Sequence, residues 1–319
     1  MGAAIGAPVP DPALVALLAA LHDSGYQFTT PTPLTHQRVW QHRAGMPAAS
    51  LRDVFGWSLP FDAAVLPSTL FALAQQAGVL VREGARYRST VRVSSLGGQR
   101  YLHSAFPTDA ADAVFFGPDT YRFANFLREN LQGESRAGLR LLDIGCGSGA
   151  GGLVAASLCP QLQLVLNDIN PQALRFAAAN AQAAGVAAEY ALGDALSAVQ
   201  GDFDLIIANP PYLADDSHRA YRDGGDRLGR ALSVRMATEA LPRLRPGGRL
   251  LLYTGVAMLD GGDPFLADMV PVLRAAGCTW HYEEIDPDVF GEELERIPYR
   301  SCDRIAAVGL RAVLPVAGP

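Results

Sequence analysis

An α/β fold in two unequal parts is what this sequence predicts, on three observations. After about Leu139, short apolar runs alternate with helical patterns, which gives a parallel sheet covered by helices on both faces. The last two apolar runs have no helical pattern between them, so they should pair antiparallel. Before residue 107 the order differs, with helical patches first and a Gly-containing hairpin after them. The expected architecture is a Rossmann-like, mostly parallel sheet of seven strands whose last strand is antiparallel. A small α+β domain of winged-helix-like order should precede it.

Each element has its own reason. Residues 1–10, rich in Gly, Ala and Pro, read as a flexible tail, and 11–106 as the front domain. Within it, Pro12 to His22 is an apolar helix. Breakers from Thr29 to Pro33 precede a helical patch from Leu34 to about Arg43. Pro67 opens a helix, Ser68 to Gln76, that stops at Gly78. The period then switches to two, placing Arg86, Arg88, Thr90 and Arg92 on one strand face. In 107–319, strands are expected at Leu139–Ile144, Leu162–Asn167, Ala187–Leu192, Asp204–Ala208 and Arg249–Thr254. Two more follow near Thr279–Ile285 and Asp303–Leu310. Helices fall at about Gly149–Leu158, Pro171–Ala184, Leu228–Leu244 and Pro264–Ala276.

Composition excludes several chemistries. All 26 basic residues are arginine, so Schiff-base, phosphate-loop and kinase-type lysines are ruled out. The four cysteines, Cys146, Cys159, Cys278 and Cys302, contain no C-x-x-C pair, and the histidines show no metal spacing; no metal is expected. Scattered thiols suit a reducing compartment. No apolar run spans a bilayer and no basic signal start is visible, so a cytoplasmic protein without membrane partners is expected. Residues 1–106 carry 8 Arg against 5 acids, a net +3, on a chain of net charge −6. That asymmetry hints at a partner for the front domain.

Candidate chemistry sits at the strand ends. Asp143-Ile144-Gly145-Cys146-Gly147-Ser148-Gly149 joins the first strand of the sheet to its helix, and the glycines let the backbone turn sharply against a ligand. A pyrophosphate would meet Asp143 unfavourably, whereas a cation would suit it. Asp168, ending the second strand, can grip two ribose hydroxyls. Asp194, ending the third, can accept from an adenine amino group. Three acids at successive strand ends point to a nucleoside bearing a positive charge, S-adenosylmethionine.

The fourth strand runs into Asn209-Pro210-Pro211-Tyr212. A conjugated NH2 group is a poor nucleophile and must be held by acceptors that turn its nitrogen toward the methyl. The Asn209 side-chain oxygen and the Pro210 carbonyl can supply them. Pro211 restricts the residue before it to an extended backbone. Tyr212 can stack on the flat face of an amide or base. Methyl transfer to such a nitrogen needs positioning and desolvation but no metal.

With these motifs the chain resembles class I S-adenosylmethionine-dependent methyltransferases of the Asn-Pro-Pro-Tyr branch, and within it the release-factor glutamine methyltransferases. The resemblance covers about Val114 to Arg311 and includes Phe115-Phe116-Gly117-Pro118-Asp119-Thr120-Tyr121 and the Asp-Gly-Gly segment Tyr221–Gly229. It implies a cofactor site at Gly145, Gly147, Asp168, Asp194 and Asn209, with Thr120 at its edge. Asp143, Cys146, Gly149, Ile169 and Ala195, in the same strand-end turns, complete the candidate set, and S-adenosylhomocysteine is the product. Asn209, Pro210 and Tyr212 are the candidate catalytic residues. Pro211, Tyr212 and the front-domain Arg86, Arg88 and Arg92 are the candidate substrate contacts. Where those enzymes usually carry a Glu-Ile-Gly-like step, this chain has Leu252-Tyr253-Thr254-Gly255, and its front domain is unlike their short helical bundle.

The acceptor expected first is a protein glutamine amide. An adenine or guanine amino group in RNA or DNA is the main alternative, favoured by the arginine stripe but opposed by the acidic net charge. A small-molecule or peptide tailoring enzyme is a third reading, and an inactive partner-binding fold a fourth. The intact Asn209–Tyr212 turn and Asp168 speak against the last.

Overall fold

The computed structural model describes residues 9–214 and 221–316. The expected tail therefore lies outside the described residues except for its last two positions.

In the front part, α1 (Pro12–Asp23), α2 (Pro33–His42), α3 (Leu51–Phe55) and α4 (Ser68–Gln76) precede two hairpins. The first hairpin pairs β1 (Leu80–Glu83) with β2 (Arg86–Ser89), the second β3 (Val91–Leu96) with β4 (Gln99–Ser104). Then follow α5 (Pro118–Leu131), β5 (Arg140–Ile144), α6 (Ala150–Leu158), β6 (Gln163–Asp168), α7 (Pro171–Ala183), β7 (Ala188–Leu192) and β8 (Phe203–Ala208). The chain closes with α8 (Ala231–Ala240), β9 (Leu244–Met258), α9 (Pro264–Ala275), β10 (Thr279–Asp286) and β11 (Arg304–Val313).

The helix boundaries follow from local chemistry. Asp11, Asn170 and Asp263 each cap a helix through a side-chain oxygen, and each is followed by proline at the first helical position. Proline's missing N–H costs nothing there, because that donor has no partner inside the helix. The helix α5 was not anticipated from the sequence. It carries the usual signs, with Pro118 at its start and Phe123, Phe126, Leu127 and Leu131 on its buried side.

Seven strands form one sheet in the order β10-β11-β9-β8-β5-β6-β7 among the described residues. The pairs β5–β6, β6–β7, β5–β8 and β8–β9 are parallel. The last strand, β11, runs antiparallel between β9 and β10. Central strands are apolar on both faces, as burial by helices on each side requires. Leu205, Ile206, Ile207 and Ala208 of β8 are all fully buried.

The front part shares its core with the sheet's helices. Leu14, Leu17 and Leu21 of α1 pack with Phe55, Phe61 and Val93, and the same cluster takes in Ala173, Phe176 and Ala179 of α7. Asn180, also on α7, fastens the junction. Its Oδ1 accepts from the Leu102 N–H at 2.8 Å, while its Nδ2 donates to the carbonyls of Leu102 at 3.1 Å and Ser148 at 2.8 Å. One buried amide thus ties hairpin β3–β4 to the glycine loop.

The expected arginine stripe requires correction. Arg86 and Arg88 lie on β2, which pairs with β1, whereas Arg92 lies on β3 in a different sheet. Arg92 is buried, its Nε donating to the Ser104 carbonyl at 3.1 Å and its Nη1 standing 3.5 Å from His36 Nδ1. Arg88 faces Glu83 at 3.0 Å and Arg86 lies 3.7 Å from Asp62. The three do not share a face and cannot act as one contact surface.

Candidate active site

The site lies where the strand order changes direction. Beside β5, Ile144 pairs with Ala208 on β8 and with Asn167 on β6. Gly145, Asp168 and Asn209 therefore leave three adjacent strands on the same side of the sheet, at the switch point where α/β folds place ligands. They open into a cavity of about 630 Å³, within the roughly 300–1,000 Å³ of small-molecule sites.

Gly145 and Gly147 adopt φ of 67° and 55°, a left-handed backbone that side chains resist. The turn they make brings the Gly147 N–H to 2.8 Å from Asp168 Oδ2, and the Asn170 N–H lies 2.9 Å from Oδ1. Each Asp168 oxygen thus takes one backbone donor and keeps further lone pairs for a ligand. Burial raises the Asp168 carboxyl, and backbone donors at Asn170, Gly147 and Ile169 pull it back.

Asp143 sits beneath the loop, its Oδ2 accepting from the Gly152 N–H at 2.8 Å. Burial pushes its carboxyl up to about 7; Gly152 opposes the rise and the neighbouring Asp168 adds to it. A cation in the cavity would restore its charge. Cys146 is buried among the lining, and burial raises its thiol well above the usual range.

Thr120, Ile169, Ala195, Asn209, Pro210 and Pro211 also line the cavity. The Thr120 Oγ1 accepts from the Gly117 N–H at 3.2 Å, closing the start of α5. Ile169 is 57% exposed, a large apolar side chain at the rim, available to cover a flat ring. The Asn209 carboxamide takes no partner among the described residues, so both its oxygen and its nitrogen are free for a ligand.

Three expected residues are placed differently from the reading above. Gly149 does not line the cavity; it caps α6 with φ of 77°. Asp194 lines it, but both its oxygens hold the Arg235 guanidinium, at 2.7 and 2.9 Å, which keeps the carboxyl below the usual range. Tyr212 does not stand free to stack on an acceptor. Its ring is 7% exposed, meets Phe290 edge-on at 5.9 Å, and its hydroxyl donates to Asp119 Oδ2 at 2.5 Å.

Several lining residues were missed. The mouth includes Pro33, Leu34 and Gln37 from α2 and Phe106 to Asp109 from the connection into the second part. No local signal marks these as site residues, since they lie far along the chain from the strand-end motifs. Tyr221 could have been found from the Asp-Gly-Gly segment. Its ring stacks on Phe115 at 5.8 Å, and its hydroxyl donates to the Thr108 carbonyl at 2.6 Å. That segment folds back on the Asn-Pro-Pro-Tyr turn, with the Gly224 N–H on the Leu213 carbonyl at 2.8 Å.

The donor set fits S-adenosylmethionine. Asp168 retains acceptors for a ribose, Asp143 gains from a cation, and Asn167 Oδ1 is buried without a partner beside them. Among the described residues no cluster of His, Cys, Asp or Glu has a metal-binding arrangement, and no helix is long and apolar enough to cross a membrane.

Comparison with known proteins adds the family. The methyltransferase small domain family matches residues 111–258. A release factor glutamine methyltransferase of Bordetella pertussis is 34% identical over 172 residues, 50% of this chain and 63% of that protein. The chain thus spans under two thirds of that relative's length. One from Rhodospirillum rubrum is 32% identical over 235 residues, 69% of this chain and 68% of the relative. The crystal structure of Trm5b from Pyrococcus abyssi shares the fold, with a TM-score of 0.50 at 16% identity over 78% of this chain and 71% of that one.

Proposed function

This chain belongs to the family of the release factor glutamine methyltransferases, and we propose on that footing that it methylates the side-chain amide nitrogen of a glutamine in a protein acceptor, a release factor first of all. S-adenosylmethionine, when bound, supplies a methyl group on a positively charged sulfur. Asp168 holds the ribose hydroxyls, Asp143 faces the cationic end and Ile169 covers the base. The Asn209 Oδ1 and the Pro210 carbonyl accept the two amide hydrogens, which draws the nitrogen lone pair out of conjugation and aims it at the methyl; the sulfur would leave as a neutral thioether, and the nitrogen would release one of the two hydrogens as a proton, by way of its acceptor, to solvent. The short connection at Phe106–Asp109 and the start of α2 wall the mouth.

One observation carries the choice of acceptor. The described lining contains seven acids, Asp109, Asp119, Asp143, Asp168, Asp194, Glu292 and Glu293, against two arginines, Arg222 and Arg235. Both arginines are paired with carboxylates of that same lining. Phosphate-rich acceptors need cations in such a place, because their affinity comes from charge neutralisation. A neutral amide on a protein loop does not.

The test is transfer from isotopically labelled cofactor to a release factor, to total RNA and to DNA, read by mass spectrometry of peptides and nucleosides. Label on one glutamine amide is the expected result; label on a nucleobase would overturn the acceptor. Chelation should leave the rate unchanged, since the sulfonium departs as a neutral thioether and needs no Lewis acid. A rate lost on chelation and restored by zinc or magnesium would contradict that.

A further inference from the structure

Two phenols from distant parts of the chain end on one buried carboxylate. Asp119, in the first turn of α5, is 5% exposed. Its Oδ2 accepts from the Tyr212 hydroxyl at 2.5 Å and its Oδ1 from the Tyr253 hydroxyl at 2.7 Å. Arg122 steadies the carboxylate from the next turn, 3.3 Å from Oδ1, and itself reaches Asp286 on β10 at 2.8 Å. Tyr253 and Gly255 lie two apart on β9, hence on one face of that strand. The first supplies a phenol to Asp119, and the second leaves the gap in which the Tyr212 ring lies.

We propose that Asp119 is the positioning residue of the Asn-Pro-Pro-Tyr turn, holding Tyr212, and through it Asn209 and Pro210, in the geometry that receives the acceptor nitrogen. This rests on the reading of that turn as the acceptor site. The turn leaves β8 as irregular chain, and proline removes two of its backbone donors, so little hydrogen bonding of its own fixes it. Tyr212 is its last residue and the one whose side chain is anchored. An ionised carboxylate accepts from both phenols at once, and its charge shortens and strengthens both bonds. Tyr253 stands at the step where this chain departs from the Glu-Ile-Gly of the enzymes it resembles. The departure therefore falls on a group that reaches the turn through Asp119.

The test is Asp119→Asn, which keeps size but can accept only through its single oxygen and turns an NH2 toward the second phenol. Two readouts are taken on the full chain. Hydrogen–deuterium exchange over residues 204–214 should rise, while 140–150 stays as in wild type. With a methyl acceptor, kcat should fall by about 10- to 100-fold, the scale of an ångström-level misplacement. The cofactor Kd should change less than threefold, and KM for the acceptor little. Tyr253→Phe removes one donor and should loosen the same segment by less; it carries the test if Asp119→Asn fails to fold. Unchanged exchange over 204–214, or a cofactor Kd that rises as far as kcat falls, overturns the proposal. A loosened turn in a protein whose wild type modifies no glutamine would support the clamp and refute the acceptor assignment.

Discussion

Gly255 lies directly against the ring of Tyr212: a Cβ on Gly255 would stand 2.1 Å from the Tyr212 Cε2. Real atoms do not approach so closely, so any side chain there displaces the ring or the strand. Gly255→Ala should cost about 1–3 kcal/mol of stability, the usual range for overpacking a filled core. It should also lower kcat while cofactor affinity holds. Thermal unfolding and steady-state kinetics on one preparation check both.

On the proposed reading, the Asp168 carboxylate supplies the acceptors for the ribose, and its loss removes them. Each charge-assisted hydrogen bond is worth about 1.5–3 kcal/mol, and about 1.4 kcal/mol is a factor of ten in affinity. Asp168→Ala should weaken S-adenosylhomocysteine binding at least tenfold, and about a hundredfold if both hydroxyls are held. Calorimetric titration measures it, and an unchanged Kd would remove Asp168 from the site.

The Asp143 carboxyl, raised to about 7, gives cofactor binding a pH dependence of known sign. Below pH 7 the free protein carries it mostly neutral, above pH 7 mostly ionised. A cationic ligand favours the ionised form, so binding at pH 6 should release a proton. Affinity for S-adenosylmethionine should rise with pH and level off above about 7, approaching tenfold per unit at the acid end. The Asp168 carboxylate close by adds to the rise. Titrations in buffers of different ionisation heat count the proton; no release at pH 6 would mean Asp143 does not face the cation.

Arg92 should behave as a core residue. It is 2% exposed, and burial lowers its guanidinium to about 10. Arg92→Ala leaves the Ser104 carbonyl without its donor and should cost about 1–3 kcal/mol. Arg86→Ala, at a side chain 42% exposed, should stay within about 0.5 kcal/mol. Neither should change the salt dependence of KM. A salt slope falling by about 0.7–0.9 per arginine removed would restore the nucleic-acid reading.

Whatever depends on neighbours along the chain is legible in the residues themselves. Alternation of apolar runs and helical patterns specifies parallel strands, and strand ends specify where loops emerge. Gly145, Asp168 and Asn209 could therefore be assigned to one edge of the sheet before any contact was known. Glycines at 145 and 147 and the Asn-Pro-Pro-Tyr turn are local signals of the same kind. Tertiary structure alone decided the partners. Asp119 meets Tyr212 and Tyr253 across separations of 93 and 134 residues, which no periodicity encodes. Asp194 finds Arg235, 41 residues away, and its carboxylate is committed before any base arrives. The arginine stripe failed for a related reason. Period two predicts a shared face only while a strand continues, and this one breaks at Thr90, between β2 and β3. Each half then pairs with a different partner strand, and Arg92 turns inward where Arg86 stays out.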